Sequence, residues 1–150
     1  MNLNATAVTT CGYLGTMIGG FQQFGRDSYI ETHFSSLPPH TGLRVQVIFF
    51  KIDQWNGRAG QVFVDGARAY QSSDYYGTPS ISGGGCRIDS SWQSGGDCCG
   101  AIGYQKGDLL FKFDTTMAHY ADSATVRVTT NLDQSGDYWG VNDVRVLLVL

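Results

Sequence analysis

The chain has 150 residues, a formal net charge of −3 and only 15% charged side chains. That length suits one domain with a real hydrophobic core, and the lack of any basic cluster excludes nucleic acid and acidic membrane surfaces as natural partners. The 20 glycines and 13% aromatics fit a loop-rich all-β protein, and no apolar run is long enough for a membrane-crossing helix.

Residues 1–10 lack the basic region and apolar core of a secretory signal. They are Thr-rich and compatible with extended structure, so they are expected to form an N-terminal segment able to add to a partner's sheet, ahead of a β-sandwich domain at 11–150. Asn4-Ala5-Thr6 is a glycosylation acceptor sequence.

No segment has the period of a helix. Strands are predicted at Tyr13 to Ile18 and at Tyr29 to Phe34, the latter alternating with period two. Leu43, Val45, Val47 and Phe49 share one face of the next strand, opposite Arg44 and Gln46. Ile48 and Phe50 then make both faces apolar, which marks a strand running through the centre of a sheet. Gln61 to Val64 ends at the turn signal Asp65-Gly66 and is followed by a weak strand at Ala67 to Gln71. Leu109 to Phe113, Ala124 to Val128 and Val144 to Leu150 bring the count to about eight, the number in a jelly roll.

Between them, Ser72 to Gly107 holds three of the four cysteines and little alternation. A loop of that length in a compact domain is functional or pinned. The spacing of Cys11, Cys86, Cys98 and Cys99 fits no zinc pattern, so disulfides are the better reading. A bond between the adjacent Cys98 and Cys99 is strained. The expected pairing therefore joins Cys86 to one of them and Cys11 to the other, in an oxidising compartment. Both chain ends read as cut from something longer, or as begun after processing.

The order of motifs resembles a known module. It runs through Gly19-Gly20-Phe21-Gln22-Gln23-Phe24-Gly25, Leu37-Pro38-Pro39-His40 and Val45 to Trp55. It continues with Val64-Asp65-Gly66, His119, Thr129-Thr130-Asn131-Leu132-Asp133-Gln134 and Trp139-Gly140-Val141. Together these resemble a galactose-binding-like β-sandwich module of large secreted or surface proteins of ciliates and other protists, from about Cys11 to the end. The resemblance carries no catalytic activity with it. Its wider superfamily is rich in calcium sites and sugar-binding loops, which implies both as expectations. The module commonly has an acid after the tryptophan where this chain has Asn56.

Carboxylates gathered around a turn repel one another unless protons, basic groups or a hard cation relieve them. Asp53, Asp137 and Asp143, with Asp133 and Asp65 behind them, are therefore the candidate ligands of a structural calcium ion, against the plainer reading that they cap turns. Trp55 and Trp139 sit at turn positions of the motifs and read as structural. Trp92, Tyr75 and Tyr76, in the long loop, are the candidates for stacking on a sugar. His40, at a rigid Pro-Pro corner, reads as bonded to a neighbouring loop. No nucleophile elbow, metalloprotease helix or phosphate loop occurs, so the chain is expected not to be an enzyme. The expected role is an extracellular or cell-surface interaction module, a structural subunit of a coat, adhesin or filament built by self-association or with other surface proteins. A calcium-dependent carbohydrate-binding module is the alternative.

Overall fold

The computed structural model describes residues 2–3, 8–10, 16–52, 55–74, 93–94 and 109–150. The four cysteines, Asn4, Asp53, Tyr75, Tyr76 and Trp92 lie outside the described residues, and so does most of the loop expected to be disulfide-pinned. Among the described residues there are eleven strands and no helix. They are β1 (Asn2–Leu3), β2 (Val8–Thr10), β3 (Thr16–Gly19), β4 (Tyr29–Phe34), β5 (Gly42–Ile52), β6 (Gly60–Val64), β7 (Ala67–Gln71), β8 (Gln93–Ser94), β9 (Leu109–Ala118), β10 (Ala124–Thr130) and β11 (Tyr138–Val149).

Two antiparallel sheets result, ordered β1-β4-β10-β6-β7 and β2-β3-β11-β5-β9-β8. Period-two alternation decides which side chains face inward. In β10, Ala124, Val126 and Val128 are buried while Thr125, Arg127 and Thr129 are half-exposed. In β5, Leu43, Val45, Val47 and Phe49 enter the core as their spacing predicts, and the strand lies between β11 and β9. The inner faces of the two sheets share one hydrophobic cluster, with Ile30, Val62, Val126 and Val128 meeting Val45, Val47, Phe113 and Val141. The architecture is a β-sandwich.

An aromatic row fills one half of that core. Phe49 stacks on Phe113 at 4.9 Å and on Trp139 at 5.5 Å, and it meets Trp55 edge-on at 6.0 Å. Both tryptophans are fully buried, and each indole N–H donates to a backbone carbonyl: Trp55 to Tyr138 and Trp139 to Gly25, both at 3.1 Å. They are structural, as read from the motifs. Gly19, at φ +91°, lets the chain turn tightly here, since a Cβ would lie 2.6 Å from the Phe24 ring and 2.9 Å from the Trp139 carbonyl.

Residues 2–3 pair with β4 and residues 8–10 pair with β3, so these described parts of the N-terminal segment lie in the chain's own sheets. Extending a domain's own sheet satisfies those backbone groups without a second molecule.

Candidate functional site

β5 spans the sandwich, and different chemistry sits at its two ends. At its C-terminal end Lys51 is fully buried with Nζ 6.0 Å from the centre of the Trp55 ring. Asp137, at the mouth of β11, is 9% exposed, and its Oδ2 has no hydrogen-bond partner. Burial first, and the Asp133 carboxylate second, push the Asp137 carboxyl above its ordinary range, while Lys51 and Arg58 pull the other way. Asp133 itself is ion-paired with Arg58 through two guanidinium nitrogens.

Of the expected calcium ligands, Asp53 lies outside the described residues, and Asp143 stands apart from Asp133 and Asp137. Asp143 lies six residues beyond Asp137 on β11, roughly 20 Å along an extended strand, and is ion-paired with Arg145 at 2.8 Å. Asp133 and Asp137 are neighbours, but two cations stand beside them. Among the described residues no group of three or more His, Cys, Asp or Glu is arranged to hold a metal. Arg58, distant in sequence, pairs with Asp133, and Arg145, two residues on, pairs with Asp143, while Lys51 and Arg58 act on Asp137 through space.

At the other end of β5 a buried hydrogen-bonded chain links three loops. His40 Nδ1 donates to the Pro38 carbonyl at 2.7 Å, and His40 Nε2 meets His119 Nδ1 at 2.8 Å. His119 Nε2 reaches Asp65 Oδ2 at 3.0 Å, and Asp65 Oδ1 accepts the Thr125 N–H at 2.8 Å. Both imidazoles are buried, and they stack 11° from parallel. The Thr125 N–H, then His119, hold the Asp65 carboxyl below the usual carboxylate range. His40 is bonded to a neighbouring loop, as expected. The pairing with His119 was not foreseen, although His40, Val64-Asp65-Gly66 and His119 are three separate pieces of the motif order.

Along β11 lies a third feature. Its inner edge pairs with β5 over nearly its whole length, whereas β3 covers its outer edge only at Gly140 and Val141. A bulge separates the two regimes: Asn142 faces Ile48 and Arg145 faces Gln46, so β11 carries one extra residue, with Asp143 at φ +51°. The Val149 carbonyl accepts the Thr41 N–H on the β5 side. Antiparallel alternation therefore turns the backbone groups of Val146 and Leu148 outward. Among the described residues no strand pairs with them there. Where β11 parts from β3 a groove of about 340 Å³ opens, lined by Val8, Thr16, Ile18, Asn142 and Val144 among others.

The outer face of the five-stranded sheet holds a second, broader groove of about 490 Å³, lined by Glu31, Gln61, Phe63, Arg127 and Thr129 among others. Arg127 donates to Glu31 at 2.7 Å and lies 4.0 Å over the Tyr29 ring. The sugar-contact residues expected from the sequence lie outside the described residues, and nothing in their pattern pointed to this face.

No family model matches the chain, and no curated protein matches it. A solved structure, described as the crystal structure of the Agl-KA catalytic domain, is similar at 16% identity and a TM-score of 0.42, over 90% of this chain. The chain spans only 22% of that structure's length. Against the expectation that the chain is not an enzyme stands the description of that structure as a catalytic domain. A likeness at that level assigns no reaction to the chain.

Proposed function

We propose that the protein is an interaction module of an extracellular or cell-surface assembly, and that it docks through the outer edge of β11. The observation that carries this reading is the outward-facing backbone of Val146 and Leu148 beyond the Asp143 bulge. An extended segment of a partner added there gains main-chain hydrogen bonds, and alternate side chains give it register. Leu147, 43% exposed on the outer face of the same stretch, offers an apolar contact to whatever pairs.

Two further lines support the placement. The strand orders fit a jelly roll, in which chain-distant strands interleave between the two sheets. The motif order supports kinship with galactose-binding-like surface modules, and the four cysteines support an oxidising compartment. Electron microscopy of the natively isolated protein, with light scattering on the same sample, tests the reading. Ordered polymers or defined oligomers support it. A monomer at every concentration, bound to nothing on its native surface, refutes it.

The groove over Tyr29, Glu31, Gln61 and Arg127 favours a second reading, a carbohydrate-binding face. Amide, carboxylate and guanidinium groups there match the hydroxyls of a sugar ring. Saturable glycan binding that Arg127→Ala abolishes, with folding intact, supports it. Glycan binding unchanged in that variant, or absent altogether, removes it.

A further inference from the structure

The His40–His119–Asp65 chain can be counted in protons. The Pro38 carbonyl only accepts, so His40 Nδ1 carries a hydrogen. Asp65 is held ionised by the Thr125 N–H, so it also accepts, and His119 Nε2 carries another. The remaining contact, His40 Nε2 to His119 Nδ1 at 2.8 Å, needs a third hydrogen between the two nitrogens. Two neutral imidazoles hold only two. Moving the Asp65 proton inventory does not alter the total: a protonated Asp65 donating to His119 again gives three. The complete chain thus holds one proton more than two neutral rings and a carboxylate.

We propose that this shared proton is a latch, fastening the 37–41 corner to the 119–122 loop and opening when the proton count departs from three. One proton fewer leaves one contact of the chain without a hydrogen, either between the two imidazoles or, with the His119 hydrogen on Nδ1, between His119 Nε2 and Asp65. One proton more sets two N–H groups against each other. Neither proton count satisfies every contact of the chain, so the chain parts at one of them. The latch has mechanical reach through the backbone. Leu37 N–H donates to the Asp122 carbonyl, His119 N–H to the Thr41 carbonyl, and Thr41 N–H to the Val149 carbonyl at the end of β11. An open corner therefore loosens the last part of the edge proposed above as the docking strand.

The groups around the latch are named readily. Asp65 comes from the β6–β7 turn and the Thr125 N–H from β10. His33 on β4 also acts on Asp65 and bonds Thr125 Oγ1. Asp122 and the exposed Tyr120 share the loop of His119. Asp65 is the anion that balances the extra proton, which favours the three-proton state over its desolvation penalty.

The sign follows from the count. Rising pH withdraws the shared proton to solvent and opens the corner, and strong acid adds a fourth proton or neutralises Asp65. Amide protection at Leu37, Thr41 and His119 is therefore bell-shaped in pH, falling about tenfold or more on each side, while Val126 and Val128 in β10 stay protected. Hydrogen exchange followed by NMR on the intact chain reads this directly. His40→Gln replaces the ring by an amide that donates to His119 Nδ1 and does not titrate, so the high-pH limb disappears in that variant. If it does not fold, imidazole ¹⁵N shifts of the unaltered protein decide, with three N–H groups over four nitrogens expected at maximal protection. Flat protection across the pH range, a high-pH limb that survives His40→Gln, or two neutral rings at maximal protection overturns the latch. None of these outcomes bears on whether the β11 edge docks a partner, which light scattering reads separately.

Discussion

Gly60→Ala tests the packing of the aromatic row. Gly60 opens β6 and faces the Phe49–Phe113 stack, whose rings lie 4.9 Å apart. A Cβ there would stand 2.5 Å from Phe113 Cζ and 3.2 Å from Phe49 Cε2, where carbon atoms rest at about 3.5–4.0 Å. The Phe113 ring must move by about 1 Å or more. It cannot do so alone, because Tyr70 packs against it at 4.9 Å and Phe49 is itself stacked on Trp139. Overpacking of this kind costs about 1–3 kcal/mol. The stiffer unfolded chain returns about 0.4–1 kcal/mol. The net expectation is a loss of about 1–2 kcal/mol, a fall in Tm of roughly 2–8 °C for a domain of this size. Urea unfolding provides the number, with Gly25→Ala as the control, since a Cβ there meets nothing nearer than 3.4 Å. Phe113→Leu in the Gly60→Ala background should recover part of the loss through a favourable coupling term. Unchanged stability in Gly60→Ala, or no coupling to Phe113, refutes the packing described.

Asp137→Asn should stabilise the protein at neutral pH by about 1 kcal/mol, because burial raises the Asp137 carboxyl and its ionised form is the disfavoured one. The folded state holds that proton more tightly than the unfolded chain, so the gain is absent in acid below the ordinary carboxylate range and grows as pH rises through the raised value. Melting curves at pH 7 and pH 4 check this, and an equal loss at both would mean that Asp137 is paired as an ion. Excess calcium, compared with chelator, should move Tm by less than about 1 °C, because Lys51 and Arg58 already stand beside Asp133 and Asp137. A saturable rise that Asp137→Asn removes would restore a calcium site at that turn.

Much of the strand pattern was legible because local spacing alone carries it. The alternation of Leu43, Val45, Val47 and Phe49 marked the inward face of β5, the apolar Ile48 and Phe50 marked it as central, and Ala124, Val126 and Val128 marked the buried face of β10. The sites were less legible, for a common physical reason. Asp133, Asp137 and Asp143 looked like a ligand set because they are close in sequence, yet an extended strand carries Asp143 away from the others. The ion-pair partners of Asp133 and Asp143, Arg58 and Arg145, are set by the packing of the β5–β6 connection against the β10–β11 turn and by the bulge. His40, Asp65 and His119 converge from three loops, so only the fold brings them within hydrogen-bonding distance. Pairing of residues 2–3 and 8–10 with β4 and β3 is likewise invisible in composition, which suits a partner's sheet and the chain's own equally well.

The central claim is that the outer edge of β11 docks a partner, and Val146→Pro tests it most directly. Val146 turns its N–H outward, so proline there removes an edge donor while leaving the ladder to β5 in place, and Val and Pro are similar in size. Light scattering and electron microscopy of the variant beside the unaltered protein give the answer. The account predicts assemblies from the unaltered protein and folded, dispersed monomer from Val146→Pro. Assemblies that persist unchanged in a folded Val146→Pro protein would contradict it.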